Sequence, residues 1–275
     1  MLGLGFFWYV SENINNIVAG KILGVVALGF YALATNIGNF INTHFTVLLE
    51  GVMFPAYAKL QDDLDDMKRV YFKTTKFVSV ISLPFGVALV LLAREFVTTL
   101  YGVKWLAIVP LIQIFGAMQL LIPILGCSGS LFLGSGRPGY NFNLTIYPLL
   151  VKVPVLILFT KLWGLIGIAL SEVVLLAFVA PVNVALVRRI VRFRYRDFFV
   201  QFLPSICCSI FMALALITLK GLAFNFLFSL TVFHHLIPLL TYSVVGLSAY
   251  VAAYFFIDRS VVREIIRMLF KLESV

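Results

Sequence analysis

The segment VVALGFYALATNIGNFINTHFTVLLEGVMFPAYA, from Val25 to Ala58, decides the fold class. As one straight α-helix its 34 residues would run about 50 Å, well beyond the ~30 Å of a bilayer's hydrocarbon core. Such a span has to tilt, kink or project into water. Pro55 suits its exit, because the backbone before a proline disfavours further helix. Thr35, Asn39, Asn42, Thr46 and Glu50 follow one another at spacings of 4, 3, 4 and 4. On a regular helix that places them within an arc of roughly 80°. Helix–helix hydrogen bonding is one use for such a stripe. Five polar residues in register, ending in a carboxylate, favour a hydrated cavity. His44 falls on the opposite face and reads as packing or interfacial.

Seven more apolar runs surround this one: Leu2–Ala19, Phe77–Ala93, Leu106–Leu133, Phe142–Thr160, Trp163–Val187, Gln201–Leu219 and Leu230–Ile257. Each approaches or exceeds the ~20 residues of a spanning helix. Barrel strands would need only about 10 residues in alternation, which is not what is written. The expected fold is therefore all-α, a polytopic integral membrane protein with eight transmembrane helices. Composition agrees: 62% of the 275 residues are hydrophobic and 12% charged, against about 25% charged in soluble domains. Mean hydropathy is +1.05.

The net charge of +9 reports topology rather than a nucleic-acid partner. With the amino terminus inside, one side collects Lys59, the Lys68–Lys76 cluster, Arg137, Arg188–Arg196 and the tail from Arg259 onward. That is 15 of the 21 lysines and arginines. Basic residues accumulate in cytoplasmic loops, so both termini are expected in the cytoplasm. Two basic connections stand out. Lys59–Lys76 opens with Asp62, Asp63, Asp65 and Asp66, which suits a short interfacial helix. Arg188–Val200 interleaves five arginines with Phe193, Tyr195, Phe198 and Phe199, and would lie along an anionic leaflet. Met1 is followed at once by apolar residues, so the chain reads as the second half of a longer protein or a truncated frame.

Polar residues inside the other spans mark candidate sites. The first carries Ser11, Glu12, Asn13, Asn15 and Asn16, with Glu12 and Asn16 on one face, and reads as lining the same cavity. Glu172 and Asn183 form a sparser stripe in the sixth. Lys152 lies between Pro148 and Pro154, deep in the fifth. Its ammonium either snorkels to an interface or offers a cationic site to an anionic substrate. Gly126, Ser130 and Gly134 recur every four residues and read as close helix packing. Cys127, Cys207 and Cys208 lack metal-ligand spacing, and no metal or cofactor is expected. No phosphate loop, His-Glu-x-x-His or loop-borne Ser/His/Asp set occurs, so soluble-enzyme chemistry is not supported.

Several motifs occur in a telling order. Leu23-Gly24 is followed by Leu28-Gly29-Phe30-Tyr31-Ala32-Leu33-Ala34 and then by Phe54-Pro55-Ala56-Tyr57-Ala58-Lys59-Leu60-Gln61-Asp62-Asp63. Tyr101-Gly102-Val103-Lys104-Trp105 and Gly134-Ser135-Gly136-Arg137-Pro138 come after. This order resembles the polysaccharide flippases, the O-antigen, colanic-acid and teichuronic-acid exporters of the multidrug/oligosaccharidyl-lipid/polysaccharide superfamily. Members resemble two six-helix bundles, often with two extra helices. The resemblance implies that residues 1–190 are a second bundle and 191–275 the extra pair with a cytoplasmic tail. The first bundle would come from the rest of a longer chain or from a partner.

It further implies that the protein moves undecaprenyl-diphosphate-linked oligosaccharide across the cytoplasmic membrane, in contact with membrane lipids. Lys152 would then meet the anionic head group, and Asn39, Asn42, Thr46 and Asn16 the sugar. Glu12, Glu50 or Glu172 would carry a coupling proton or sodium ion. Three other readings compete. One is a drug/cation antiporter of the same superfamily. A second is a membrane glycosyltransferase, polymerase or ligase, against which the short outer loops argue. The third is an inactive or partner-dependent half-transporter.

Overall fold

The computed structural model describes residues 10–226, except residue 12, and residues 236–257; the side chains of residues 222–226 are left aside. Every regular element among the described residues is helical. A first helix, α1, is described over residues 10–18 and runs into a π-helical turn, Ala19–Leu23. Then follow α2 (Val25–Gly38), a π-turn (Asn42–Thr46), α3 (Val47–Lys59), α4 (Leu64–Leu100) and a 3₁₀ turn (Val103–Ile108). The chain continues through α5 (Val109–Met118), α6 (Ile122–Leu125), α7 (Ser128–Gly134) and α8 (Pro138–Val191). It ends with α9 (Tyr195–Val200), α10 (Leu203–Phe226) and α11 (Leu236–Ile257).

The long Val25–Ala58 segment is solved by bending. Its two halves, Val25–Gly38 and Asn42–Lys59, meet at 54° across Asn39–Ile41, and the second half opens with the π-turn. The bend has a specific support: Gln119 Nε2 donates to the Gly38 carbonyl at 2.6 Å, in a buried position. Gly38 also lies hard against Phe115, where a Cβ would come within 2.4 Å of the phenylalanine's own. Pro55 does not end the helix, which runs one turn further to Lys59. The polar cluster after it is no separate interfacial helix either. Asp63 caps α4 by accepting from the Asp66 backbone N–H at 3.0 Å, and Asp65 and Asp66 occupy the first turn. These acids complement the helix dipole. From there α4 is continuous for 37 residues, about 55 Å, so it carries the basic cluster out of the apolar layer.

The expected fourth span is broken into short pieces. Gly126, at φ +52°, sits where a side chain would strike Thr75. The small-residue stripe packs as anticipated: a Cβ on Gly134 would lie 2.6 Å from that of Tyr57. Helix α8 is two arms rather than one rod. Its 54 residues would extend about 80 Å if straight. Yet Gly164 leaves the helical region (φ 58°, ψ −132°), and a Cβ on Gly167 would collide with the Phe159 carbonyl. The chain folds back there, making the fifth and sixth expected spans a hairpin.

Among the described residues, five helical segments are long and apolar enough to cross a membrane, and the bent pair makes a sixth. The 54-residue α8 is one of these, and it is divided at Gly164. The expected first span, Leu2–Ala19, falls half outside the described residues, so the number eight itself is not established. A multi-pass membrane protein follows. The surface fits it: Val26, Leu48, Leu150, Phe178, Leu247 and Phe256 are all exposed, an arrangement costly in water and natural against lipid.

Among the described residues, three clusters of buried apolar side chains hold the helices. One joins α1, α2, α4, α5 and the α8 hairpin around Tyr31, Phe115, Leu156 and Ile168. A second, around Tyr57, Tyr71, Phe132 and Phe198, ties α3, α4 and α7 to the end of α8 and to α9. The third seats α10 and α11 on α4 through Val80, Leu92, Met212 and Tyr250.

The hairpin yields a stability test. Gly167→Ala should destabilise the purified protein by about 1–3 kcal/mol or more, because a methyl group meets backbone rather than a movable side chain. Gly29→Ala, where nothing lies within 4 Å, should be neutral or stabilising by up to about 1 kcal/mol. Thermal unfolding in detergent reads both.

Candidate functional site

The fold-back of α8 brings Lys152 and Glu172 face to face. The ammonium lies 2.8 Å from the Glu172 carboxylate, with Lys152 only 6% exposed. It does not snorkel outward. Its second partner is the Ser11 carbonyl of α1, at 2.9 Å. The same Glu172 oxygen accepts from the Asn15 side-chain amide at 2.6 Å. Three helical segments thus converge on one ion pair, its lysine buried and its glutamate partly buried. Burying either charge alone would be far more costly than burying the two together with directed donors.

Local sequence explains the placement. Residues 152 and 172 are twenty apart, and the turn at Gly164 lies between them. Pro148 and Pro154 stand in the arm that carries Lys152. Both remove backbone donors, which protein-facing helix tolerates better than lipid-facing helix. The amide oxygens of Asn15 and Asn16 are buried and accept no hydrogen bond among the described residues. Asn16 therefore lies beside the cluster with an open acceptor. Glu12 lies outside the described residues.

The stripe on the second span does not survive as one line. The 80° arc presumed a regular helix, and the bend and π-turn break that register. Thr35 spends its hydroxyl on the Tyr31 and Ala32 carbonyls, 3.0 Å away. Asn39 stands at the bend, Asn42 is exposed, and Thr46 buries a hydroxyl with no partner among the described residues. No hydrogen bond or ion pair among the described residues links Asn39, Asn42, Thr46 or Glu50 to Lys152. His44 packs its ring 4.7 Å from Phe40 and is exposed.

Glu50 belongs to a second polar layer, formed where α3, α7 and α8 meet. Its carboxylate would lie 3.2 Å from a Cβ on Gly129, so the two elements meet closely here. Ser130 donates to the Glu50 backbone carbonyl at 2.9 Å. Asn141 donates to the Gly129 carbonyl at 3.1 Å, and Asn183 to the Ser128 hydroxyl at 2.7 Å. Sequence reasoning named Glu50 and Asn183 but passed over Gln119, Ser128 and Asn141. A signal existed: each is polar and sits within a few residues of a helix break or of a small residue.

Comparison with known proteins adds an independent line. Residues 1–110 match the sequence profile of a family described as "Polysaccharide biosynthesis protein". The chain is 28% identical over 163 residues to the lipopolysaccharide biosynthesis protein WzxC of Escherichia coli K12, covering 59% of this chain and 33% of that one. It is 29% identical over 168 residues to an uncharacterized membrane protein in the cps region of Klebsiella pneumoniae, covering 59% and 34%. It is also 29% identical over 133 residues to the teichuronic acid biosynthesis protein TuaB of Bacillus subtilis 168, covering 48% and 28%. The matched part spans about a third of the length of these relatives.

The ion pair itself can be tested for coupling. Lys152→Met or Glu172→Leu alone should cost about 3–5 kcal/mol, by leaving one buried charge without its partner. The double variant should cost much less than the sum of the two. A double-mutant cycle on thermal unfolding measures the difference.

Proposed function

We propose that this chain, which the motif order and the matched profile place with the polysaccharide biosynthesis membrane proteins, is part of a polysaccharide exporter. Its substrate would be an oligosaccharide linked to undecaprenyl diphosphate, carried across the cytoplasmic membrane without a covalent step. The basic side of the bundle would face the cytoplasm, with both termini there. The observation that carries the reading is the buried Lys152–Glu172 pair with Asn15. Ionisable groups at the centre of apolar helices are costly, and where they occur they mark substrate or ion paths.

The geometry suggests how the two charges act together. At rest they neutralise each other. A diphosphate entering the bundle competes with Glu172 for the Lys152 ammonium. Once displaced, the buried carboxylate needs a new counter-charge, which a proton or a sodium ion supplies. Substrate capture and ion uptake are thereby linked through one salt bridge. Glu50 and Glu12 are further coupling candidates. Asn39, Asn42, Thr46 and Asn16 offer amides and a hydroxyl to sugar hydroxyls. The exposed face of α2 and α3 mixes Asn36, Asn42 and Thr43 with Phe45, Val47 and Leu48. Such a face suits a hydrated cavity closed by another bundle, from the same longer chain or a partner, better than it suits lipid.

The test uses a strain deleted for the gene and complemented with full-length variants. The deletion should lose surface polysaccharide and accumulate lipid-linked repeat units; unchanged surface polymer would sink the reading. The charge reversal Lys152→Glu with Glu172→Lys separates structure from transport. It should restore protein level while leaving export at least tenfold below wild type. Full export by the reversed pair would make the salt bridge a structural staple only.

A further inference from the structure

At the basic end of the bundle, the first turns of α4 meet the turn between α8 and α9 and enclose an open cavity of about 500 Å³. Its walls are Lys68, Arg188, Arg192, Phe193, Arg194 and Asp197. Four cations face one carboxylate, and Lys68 comes from a helix 120 residues away in sequence. The fold thus adds a cation from a distant helix to the three that the Arg188–Arg194 stretch supplies. We propose that it binds the phosphate of an anionic lipid headgroup in the leaflet on that side.

Arg188 is held for this role. Its Nε donates to the Phe193 carbonyl at 3.0 Å, and its guanidinium lies 4.5 Å from the centre of the Tyr195 ring. The terminal nitrogens, which match phosphate oxygens two at a time, make no hydrogen bond among the described residues. Arg192 and Arg194 are exposed, and neither forms an ion pair with Asp197. Arg192 is also the one described non-glycine residue at positive φ, 42°, where it ends α8. Glycine is the common residue at that position, so a cation with a Cβ there stands against local preference.

A lipid is favoured over a soluble phosphate by what borders the cavity. Tyr195, Phe199, Val200 and Leu203 are all exposed on the adjoining α9 and the start of α10. An apolar rim beside a cationic pocket suits acyl chains below a headgroup. The nearby Arg196 provides a control, because it carries the same charge on the adjoining α9, outside the cavity.

The experiment is native mass spectrometry of the full-length protein from micelles containing phosphatidylglycerol and phosphatidylcholine. Wild type should retain phosphatidylglycerol in preference to phosphatidylcholine. Arg192→Gly removes a charge while relaxing the backbone, so it should fold at least as well as wild type. It should nevertheless bind about fivefold more weakly, and with Arg194→Gln tenfold or more. Arg196→Gln should bind like wild type. Equal losses in Arg192→Gly and Arg196→Gln would mean diffuse surface attraction and would overturn the pocket. Full displacement by millimolar inorganic phosphate, with no preference between the lipids, would overturn the lipid assignment in favour of a soluble phosphate.

Discussion

Hydrocarbon supplies neither donors nor acceptors, so a polar group facing it is costly unless the protein supplies a partner. That constraint organises the bundle. Thr74, Thr75, Thr160 and Thr218 each return a hydroxyl to a carbonyl one turn back. Ser79, Ser205 and Tyr254 form a chain of contacts at 3.0 and 2.9 Å that joins α4, α10 and α11. Tyr250 adds a bond to the Val80 carbonyl. At the far end of the same pair of helices, Lys220 pairs with Glu95 at 2.7 Å. Hydrophobic attraction cannot select helix partners among lipid tails, so these polar links, with close packing, decide which helices meet.

Close packing in turn depends on where glycine permits backbones to touch. On Gly86 a Cβ would lie 2.6 Å from the Gly116 carbonyl, so α4 and α5 approach at backbone distance. Gly167 does the same for the two arms of α8, against Phe159. From that contact the antiparallel register follows. Leu156 and Ile168 fall into one cluster, and further from the turn Lys152 comes opposite Glu172. A slip of one position would point the ammonium at hydrocarbon. The ion pair is thus a consequence of the hairpin's register, and it resists any other.

Much of this was legible in the sequence, and the reason is scale. Membrane class, helical character and the approximate spans rest on runs of about 20 residues, which no local detail can overturn. Lys152, Glu172 and the polar first helix were visible as exceptions to apolarity. Their meeting was not, since nothing local gives the partner of a residue twenty positions away. The stripe from Thr35 to Glu50 failed for a related reason. Its angles assumed an uninterrupted helix, and the bend depends on Gln119 and Phe115 arriving from another element. Pro55 and the aspartates after it looked like boundaries, but a proline is tolerated where packing holds the helix. The capped start at Asp63 then leads into a helix that runs on unbroken through the apolar layer.

The distribution of charge shows how one chain serves two environments. In the interior, Lys152 is matched by the Glu172 carboxylate and the Ser11 carbonyl, while the Asn15 amide donates to that same carboxylate, so the net field is small. At the basic end, four cations share a cavity with a single aspartate, and their excess charge stays uncompensated by the protein. Water and headgroups can bear that excess, whereas hydrocarbon cannot. Any anion drawn from the basic end toward the centre therefore passes from a site that lacks negative charge to one already neutral. On the proposed reading it would hold there by displacing Glu172. The resting salt bridge would then set the threshold for that step, and the strength of that one contact would govern passage through the bundle.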